Sequence, residues 1–264
     1  MVLPLHHERS GSGPPLVLVH GLGSNLRIWH PIRTALARSH EVVALDLPGF
    51  GESPSLPAAV RRDVPSLVSA LEEWLDERGI GEPHVAGNSM GGLIALELAA
   101  RGRARSAVAI SPAGFGSRIE NKLTKATLRT QRVASRVLAP VAGRATHSPA
   151  GRAVLLGVAC ARPWRIPPAE AAHMVTDYAR APGLRRTLDP LLDEPPRDLE
   201  TIRCPVAVLW GTRDLILPVA GASRVQQRIP HAQVHRLPGL GHIPTFDDPE
   251  TVAERILEVT AGSE

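Results

Sequence analysis

Val85-Ala86-Gly87-Asn88-Ser89-Met90-Gly91-Gly92 follows a strand-like stretch and runs directly into a helix-like one, Leu93 to Ala100. It fits Gly-x-Ser-x-Gly at a strand-to-helix turn. A serine on such a turn is held in a strained backbone conformation, and the glycines at 87 and 91 permit the close approach this requires. The hydroxyl is thereby pushed out of the fold, where a histidine can reach it and take its proton. The bland alternative is a glycine-rich helix start in which Ser89 merely caps the helix. Whether the rest of the chain supplies an acid and a base in order separates the two.

The apolar run Val206-Ala207-Val208-Leu209-Trp210 reads as a buried parallel strand, and Asp214 follows it within Gly211-Thr212-Arg213-Asp214. Gln233 to Leu237 reads as a last, alternating strand, and the glycine- and proline-broken loop after it, Pro238 to Pro244, carries His242. Singly, Asp214 fits a turn ahead of Pro218, and His242 is one of eleven histidines. Jointly, in the order Ser, Asp, His and each just beyond a strand, Ser89, Asp214 and His242 are the candidate nucleophile, orienting acid and base. After the run Leu16 to Val19, the turn His20-Gly21-Leu22-Gly23 offers backbone amides to a developing negative charge. Leu22 N–H is the expected first oxyanion donor. Met90 N–H, beside the nucleophile and at a helix start, is the second. His20 is read as a brace of its own loop, in a supporting motif with Gly21, Gly23, Gly87 and Gly91.

With Asp46-Leu47-Pro48-Gly49-Phe50-Gly51-Glu52-Ser53 added, these motifs run through nearly the whole chain, and the sequence resembles the lidded serine hydrolases of the α/β-hydrolase fold. The resemblance implies an α/β architecture: a mostly parallel sheet flanked by helices, with a helical cap inserted after the sixth strand. It also implies an acyl-enzyme formed on Ser89 and relieved by water. Serine at this position points away from the family's dehalogenases and epoxide hydrolases, which use aspartate there. Tyr178, the single tyrosine, stands where epoxide-hydrolase lids usually present a pair. The expected reaction is cleavage of an ester in a small, fairly apolar molecule. The alternative is carbon–carbon hydrolysis of ring-cleavage products, whose enzymes share Gly-Asn-Ser-Met-Gly-Gly. Against it, Ser24 follows the first glycine loop where that branch has proline, and Ile243 follows His242 where it has tryptophan. Thioesterase, lactonase and perhydrolase activities fit the same residues, as does a binding module that has retained them.

At 264 residues and 43% hydrophobic content the chain can bury a full core. Strand-like runs at 16–20, 41–46, 83–87, 105–110, 205–210 and 233–237 alternate with helical patterns, the signal of right-handed βαβ crossovers. One further strand fits Leu3 to Glu8, so the family's leading hairpin is trimmed. Residues 1–114 and 199–264 are expected to form the hydrolase core and 115–198 the cap. Cap helices are predicted at 117–138, 149–159, 168–180 and 183–192, broken at Pro140, Pro163, Pro167-Pro168 and Pro182-Gly183. Residues 1–15 lack an apolar signal-like segment and no run reaches the roughly 18 apolar residues of a membrane span, so a cytoplasmic protein is expected. Cys160 and Cys204 have no metal-ligand spacing and read as separate thiols. No metal and no cofactor is implied, and the glycine loops lack the signatures of nucleotide binding. The oligomeric state has no sequence signature.

Within the first cap helix Arg118, Lys122, Lys125, Arg129, Arg132 and Arg136 follow four-three-four-three-four spacing and align on one helical face. Ile119, Leu123, Ala126, Val133 and Val137 lie on the opposite side. The expected reading is the solvated outer face of an amphipathic helix, and the functional alternative is attraction of anionic substrates or a membrane surface. A net charge of only +4 and the lack of interleaved aromatics discount nucleic acid as a partner.

Overall fold

The computed structural model describes residues 2–262. Seven strands make one sheet: β1 His7–Ser10, β2 Pro15–Val19, β3 Glu41–Leu45, β4 His84–Asn88, β5 Ser106–Ile110, β6 Val206–Gly211 and β7 Gln233–Leu237. Their spatial order is β1-β3-β2-β4-β5-β6-β7. β1 pairs antiparallel with β3, and the remaining neighbours pair in parallel. The helices are α1 His30–Leu36, α2 Val64–Glu77, α3 Met90–Ala100, α4 Arg118–Leu138, α5 Ala142–Ala145, α6 Pro149–Leu156, α7 Pro168–Arg180, α8 Leu184–Asp193, α9 Ala220–Arg228, α10 Pro244–Asp247 and α11 Pro249–Ala261.

Central strands covered on both faces are mainly apolar, and β4, β5 and β6 are buried at every residue, with His84, Asn88 and Ser106 as polar exceptions at their ends. The edge strand β1 stays largely solvent-accessible. α3 is buried from Met90 through Ala99, so the helix that follows Ser89 is a core element rather than a surface one. The chain moves from β2 outward to β3 and then crosses back to β4 on the other side of β2. The carboxyl ends of β2 and β4 therefore flank the topological switch point, where ligands of open parallel sheets bind. His20 to Gly23 leave one of those ends and Ser89 leaves the other.

Six of the expected strands lie within two residues of their predicted bounds. The first is displaced: β1 is His7–Ser10, where Leu3 to Glu8 was expected. It pairs with β3 in the register His7 to Leu45 through Ser10 to Val42, and the turn that leads from it into β2 has Gly11 and Gly13 at positive φ. Among the described residues the helical insertion follows β5, the fifth strand, and not the sixth. Its main helices, α4, α6, α7 and α8, fall at the predicted places, and the proline breaks lie between them.

The outward face of α4 departs from expectation. Ile119, Leu123, Val133 and Val137 are 63–73% exposed, whereas Thr124, Leu128 and Ser135 are buried. The aliphatic stripe therefore lies beside the cation row on the solvent side and not opposite it, and the face turned inward is a third one, small and partly polar, which packs against α7 and α8. Lys125 is drawn toward α8, where its ammonium lies 2.6 Å from Asp193 Oδ2.

Candidate active site

Ser89 has φ 58° and ψ −115°, a conformation L-residues avoid. It is held there because its N–H donates to Ile110 O at 2.8 Å and its carbonyl accepts from Leu93 and Ala113 N–H at 3.1 Å. The side chain does not cap α3, so the bland reading of this serine fails. A Cβ on Gly87 would overlap the Gly91 carbonyl, and one on Gly91 would overlap the Val19 carbonyl. These two glycines let β4, α3 and the end of β2 meet beneath the serine.

Asp214 and His242 come from the ends of β6 and β7. Asp214 Oδ1 accepts from the N–H groups of Ile216 (2.9 Å) and Leu217 (2.8 Å), which leaves Oδ2 to accept from His242 Nδ1 at 2.8 Å. The aspartate side chain is wholly buried and that of His242 nearly so. With Nδ1–H donating to the carboxylate, the imidazole lone pair resides on Nε2. Ser89 and His242 line the same cavity.

The glycine loop after β2 lies across that cavity. His20 is fully buried with both ring nitrogens engaged: Nε2 accepts from Leu47 N–H at 2.9 Å, so Nδ1 carries the proton and donates to Gly21 O at 2.7 Å. Burial, only partly opposed by Asp46, holds its pKa below the usual histidine value. It is a neutral brace joining the loops after β2 and β3. Asp46 extends the brace, accepting from Leu26 N–H at 2.8 Å and Glu52 N–H at 2.9 Å. Gly23 has φ 77°, and a side chain there would run into Tyr178 and Leu184 of the insertion. Among the described residues, neither Leu22 N–H nor Met90 N–H has a protein acceptor. Both amides are therefore free to donate to a ligand.

The cavity opens to solvent. Its walls are mainly apolar, with Leu128, Leu156, Met174 and Leu217 among them, while Glu170, His173 and Asp177 add polar groups. A pocket with mainly apolar walls and a few polar groups suits small, mostly apolar ligands. Tyr178 also lines it, its hydroxyl donating to Leu128 O at 3.0 Å, and burial raises its pKa. Cys160 and Cys204 are unpaired, and burial raises both thiol pKa values.

Two residues that sequence reasoning passed over hold the site together. Asn88 Nδ2 donates to His242 O at 2.9 Å, tying the elbow to the histidine loop across 154 residues. Asp247, fully buried, accepts from Gly241 N–H at 2.7 Å, Ala161 N–H at 3.0 Å and Arg162 N–H at 2.7 Å. Asn88 occupies a variable place in its motif, and Asp247 stands beside Asp248, the ordinary cap of α11, so neither carries a local signal.

Residues 16–255 match the sequence model of the alpha/beta hydrolase family. Over 255 residues the chain is 30% identical to the dihydrolipoyllysine-residue acetyltransferase component of the acetoin cleaving system of Pseudomonas putida, matching 93% of this chain but 63% of that protein. It thus spans less than two thirds of that relative's length. Over 92 residues it is 46% identical to the pimeloyl-(acyl-carrier protein) methyl ester esterase of Aeromonas hydrophila, covering 35% of this chain and 34% of the other. Its fold is similar to that of a thermophilic esterase from Thermogutta terrifontis, with a TM-score of 0.78 at 24% identity, over 99% of this chain and 94% of that one.

Proposed function

The chain belongs to the alpha/beta hydrolase family and is a hydrolase, and from that premise we propose that it cleaves an ester of a small, fairly apolar molecule through an acyl-enzyme on Ser89. Ser89 Oγ attacks the ester carbonyl while His242 Nε2 takes its proton. The imidazolium so formed is stabilised by the buried Asp214, and the amides of Leu22 and Met90 hold the tetrahedral oxyanion. His242 then gives the proton to the departing alkoxide. A water molecule, deprotonated by the same nitrogen, releases the acid and restores the serine. Residues 115–198 act as the cap, closing the apolar cavity over a core made of 1–114 and 199–264.

The observation that carries this reading is that His242, paired with Asp214 at 2.8 Å, faces the same cavity as a serine held at φ 58° with no capping bond. The ester preference is supported by the apolar walls and by the esterase among the relatives. A fluorophosphonate probe should label the wild-type protein stoichiometrically and leave Ser89→Ala unlabelled. Folded wild-type protein that resists the probe would overturn the proposal.

A further inference from the structure

α4 carries six cations and a single carboxylate, and that carboxylate, Glu120, is paired with Arg224 at 2.7 Å. Some of the positive charge is answered from within: Lys125 and Arg129 reach Asp189, and Lys125 also reaches Asp193. Arg118, Lys122 and Arg136 form no ion pair among the described residues. At the far end, burial and the like charge of Arg136 lower the Arg132 pKa, with Arg185 of α8 adding to the effect. Arg132 Nη1 is buried without a hydrogen-bond partner. Beside this row runs a stripe of bare aliphatic side chains, Ile119, Leu123, Val133 and Val137, continued by Val141, which is 50% exposed.

A stripe of this kind needs a partner, and its charge narrows the choice. A second copy packed on it isologously would set one cation row near another, with the adjacent acids Asp189 and Asp193 already engaged by Lys125 and Arg129. A protein partner would be expected to find aromatic or methionine anchors on a contact helix, and α4 has none of them. An anionic lipid surface asks for what is present: aliphatic side chains to enter the interface and flanking lysines and arginines to meet headgroup charge.

We infer that α4 is a peripheral membrane-docking element that lays its Ile119–Val137 stripe on anionic bilayers, held by Arg118, Lys122 and Arg136. No described helix is long and apolar enough to cross a membrane, so the contact is one of surface attachment. The inner side of the same helix, Thr124, Leu128, Gln131 and Ser135, lines the cavity. Building on the ester-hydrolase reading, docking would place the cavity wall against the phase in which apolar esters accumulate.

Co-sedimentation with vesicles of phosphatidylglycerol and phosphatidylcholine, against phosphatidylcholine alone, tests this. Wild type should pellet with the anionic vesicles, remain in solution with the neutral ones, and be released by salt. Each signal alone gives only marginal attachment. Replacing Ile119, Leu123, Val133 and Val137 by Ser should therefore lower the bound-to-free ratio tenfold or more, and Arg118→Gln, Lys122→Gln and Arg136→Gln together should do the same. Hydrolysis of a soluble ester reports that these variants remain folded. Ser89→Ala must bind vesicles like wild type, so failure of the catalytic reading leaves the docking result interpretable. The inference is overturned if wild type ignores anionic vesicles, if both variants bind undiminished, or if lipid-free wild type is a dimer that the aliphatic replacements dissociate.

Discussion

Glu97 sits two turns into α3 and is 8% exposed, against Val64 and Pro65 of α2 and beside Pro190 and Arg197. Burial raises its pKa from 4.5 to about 7, outweighing the attraction of Arg101 and Arg197. A carboxyl group shifted this way keeps its proton in the folded protein at pH values where the unfolded chain has released it. Its contribution is therefore complete below pH 4.5 and is lost as pH rises to about 7. At about 1.4 kcal/mol per pH unit across that gap, ionisation costs the fold up to about 3 kcal/mol. Glu97→Gln keeps the shape but cannot ionise, so it should match wild type near pH 4.5 and surpass it above pH 7. For a chain of this size the gain corresponds to a Tm higher by roughly 6 to 12 °C.

His84 dictates how this must be measured. Burial, followed by the positive charges of His40 and Arg105, lowers its pKa from 6.5 to about 4. Its contribution is complete above pH 6.5 and is lost as pH falls toward 4, opposite in sign to that of Glu97. Between pH 4.5 and 6.5 the two slopes oppose each other, and the wild-type curve alone conceals both. The test is the difference in calorimetric Tm between variant and wild type, measured from pH 4.5 to 8.5 at constant ionic strength. A difference that does not change with pH would refute the assignment of the buried proton to Glu97.

Asp214→Asn retains an acceptor for the Ile216 and Leu217 amides but presents N–H to His242 Nδ1, forcing the wrong tautomer. On an aryl ester kcat should fall on the order of 10⁴-fold, as such a change does in established serine hydrolytic triads, with Tm little altered. Asn88→Ala leaves the His242 carbonyl without its 2.9 Å donor, and urea unfolding should show a loss of about 1–3 kcal/mol together with reduced kcat. Leu128→Trp should fill part of the cavity, so KM should rise for long-chain p-nitrophenyl esters and stay near wild type for the acetate.

The parallel strands were legible because burial on both faces leaves a continuous apolar run, and each such run ended where glycine or proline broke it. That the candidates beyond those ends, Ser89, Asp214 and His242, would be neighbours was legible for the same reason: strand ends on one side of a parallel sheet converge. β1 was harder, since its position depends on a turn at Gly11 and Gly13 and on register with β3, and its residues alternate only weakly. α4 was legible as a helix but not in its orientation. Periodicity shows which residues share a face, whereas the choice of face to bury was made by α7, α8 and a cavity that accepts Thr124 and Ser135. Hydropathy alone would have turned the helix the other way.

Asn88 and Asp247 show what a motif leaves out. To keep its bond to Asp214, His242 must be held in place, and a glycine-rich loop such as Gly239 to His242 has little rigidity of its own. Its order is imposed from outside, by Asn88 on the carbonyl of His242 and by Asp247 on the amide of Gly241. The same Asp247 carboxylate accepts from Ala161 and Arg162 in the helical insertion, and the Ile243 amide donates to Ala159 O at 3.0 Å. The segment that covers the cavity and the loop that presents His242 thus share one buried anion. Any displacement of the insertion at residues 159–162 must either carry the histidine loop with it or leave a wholly buried carboxylate short of donors, the costlier outcome. The placement of His242 is for that reason a property of the insertion as much as of the sheet.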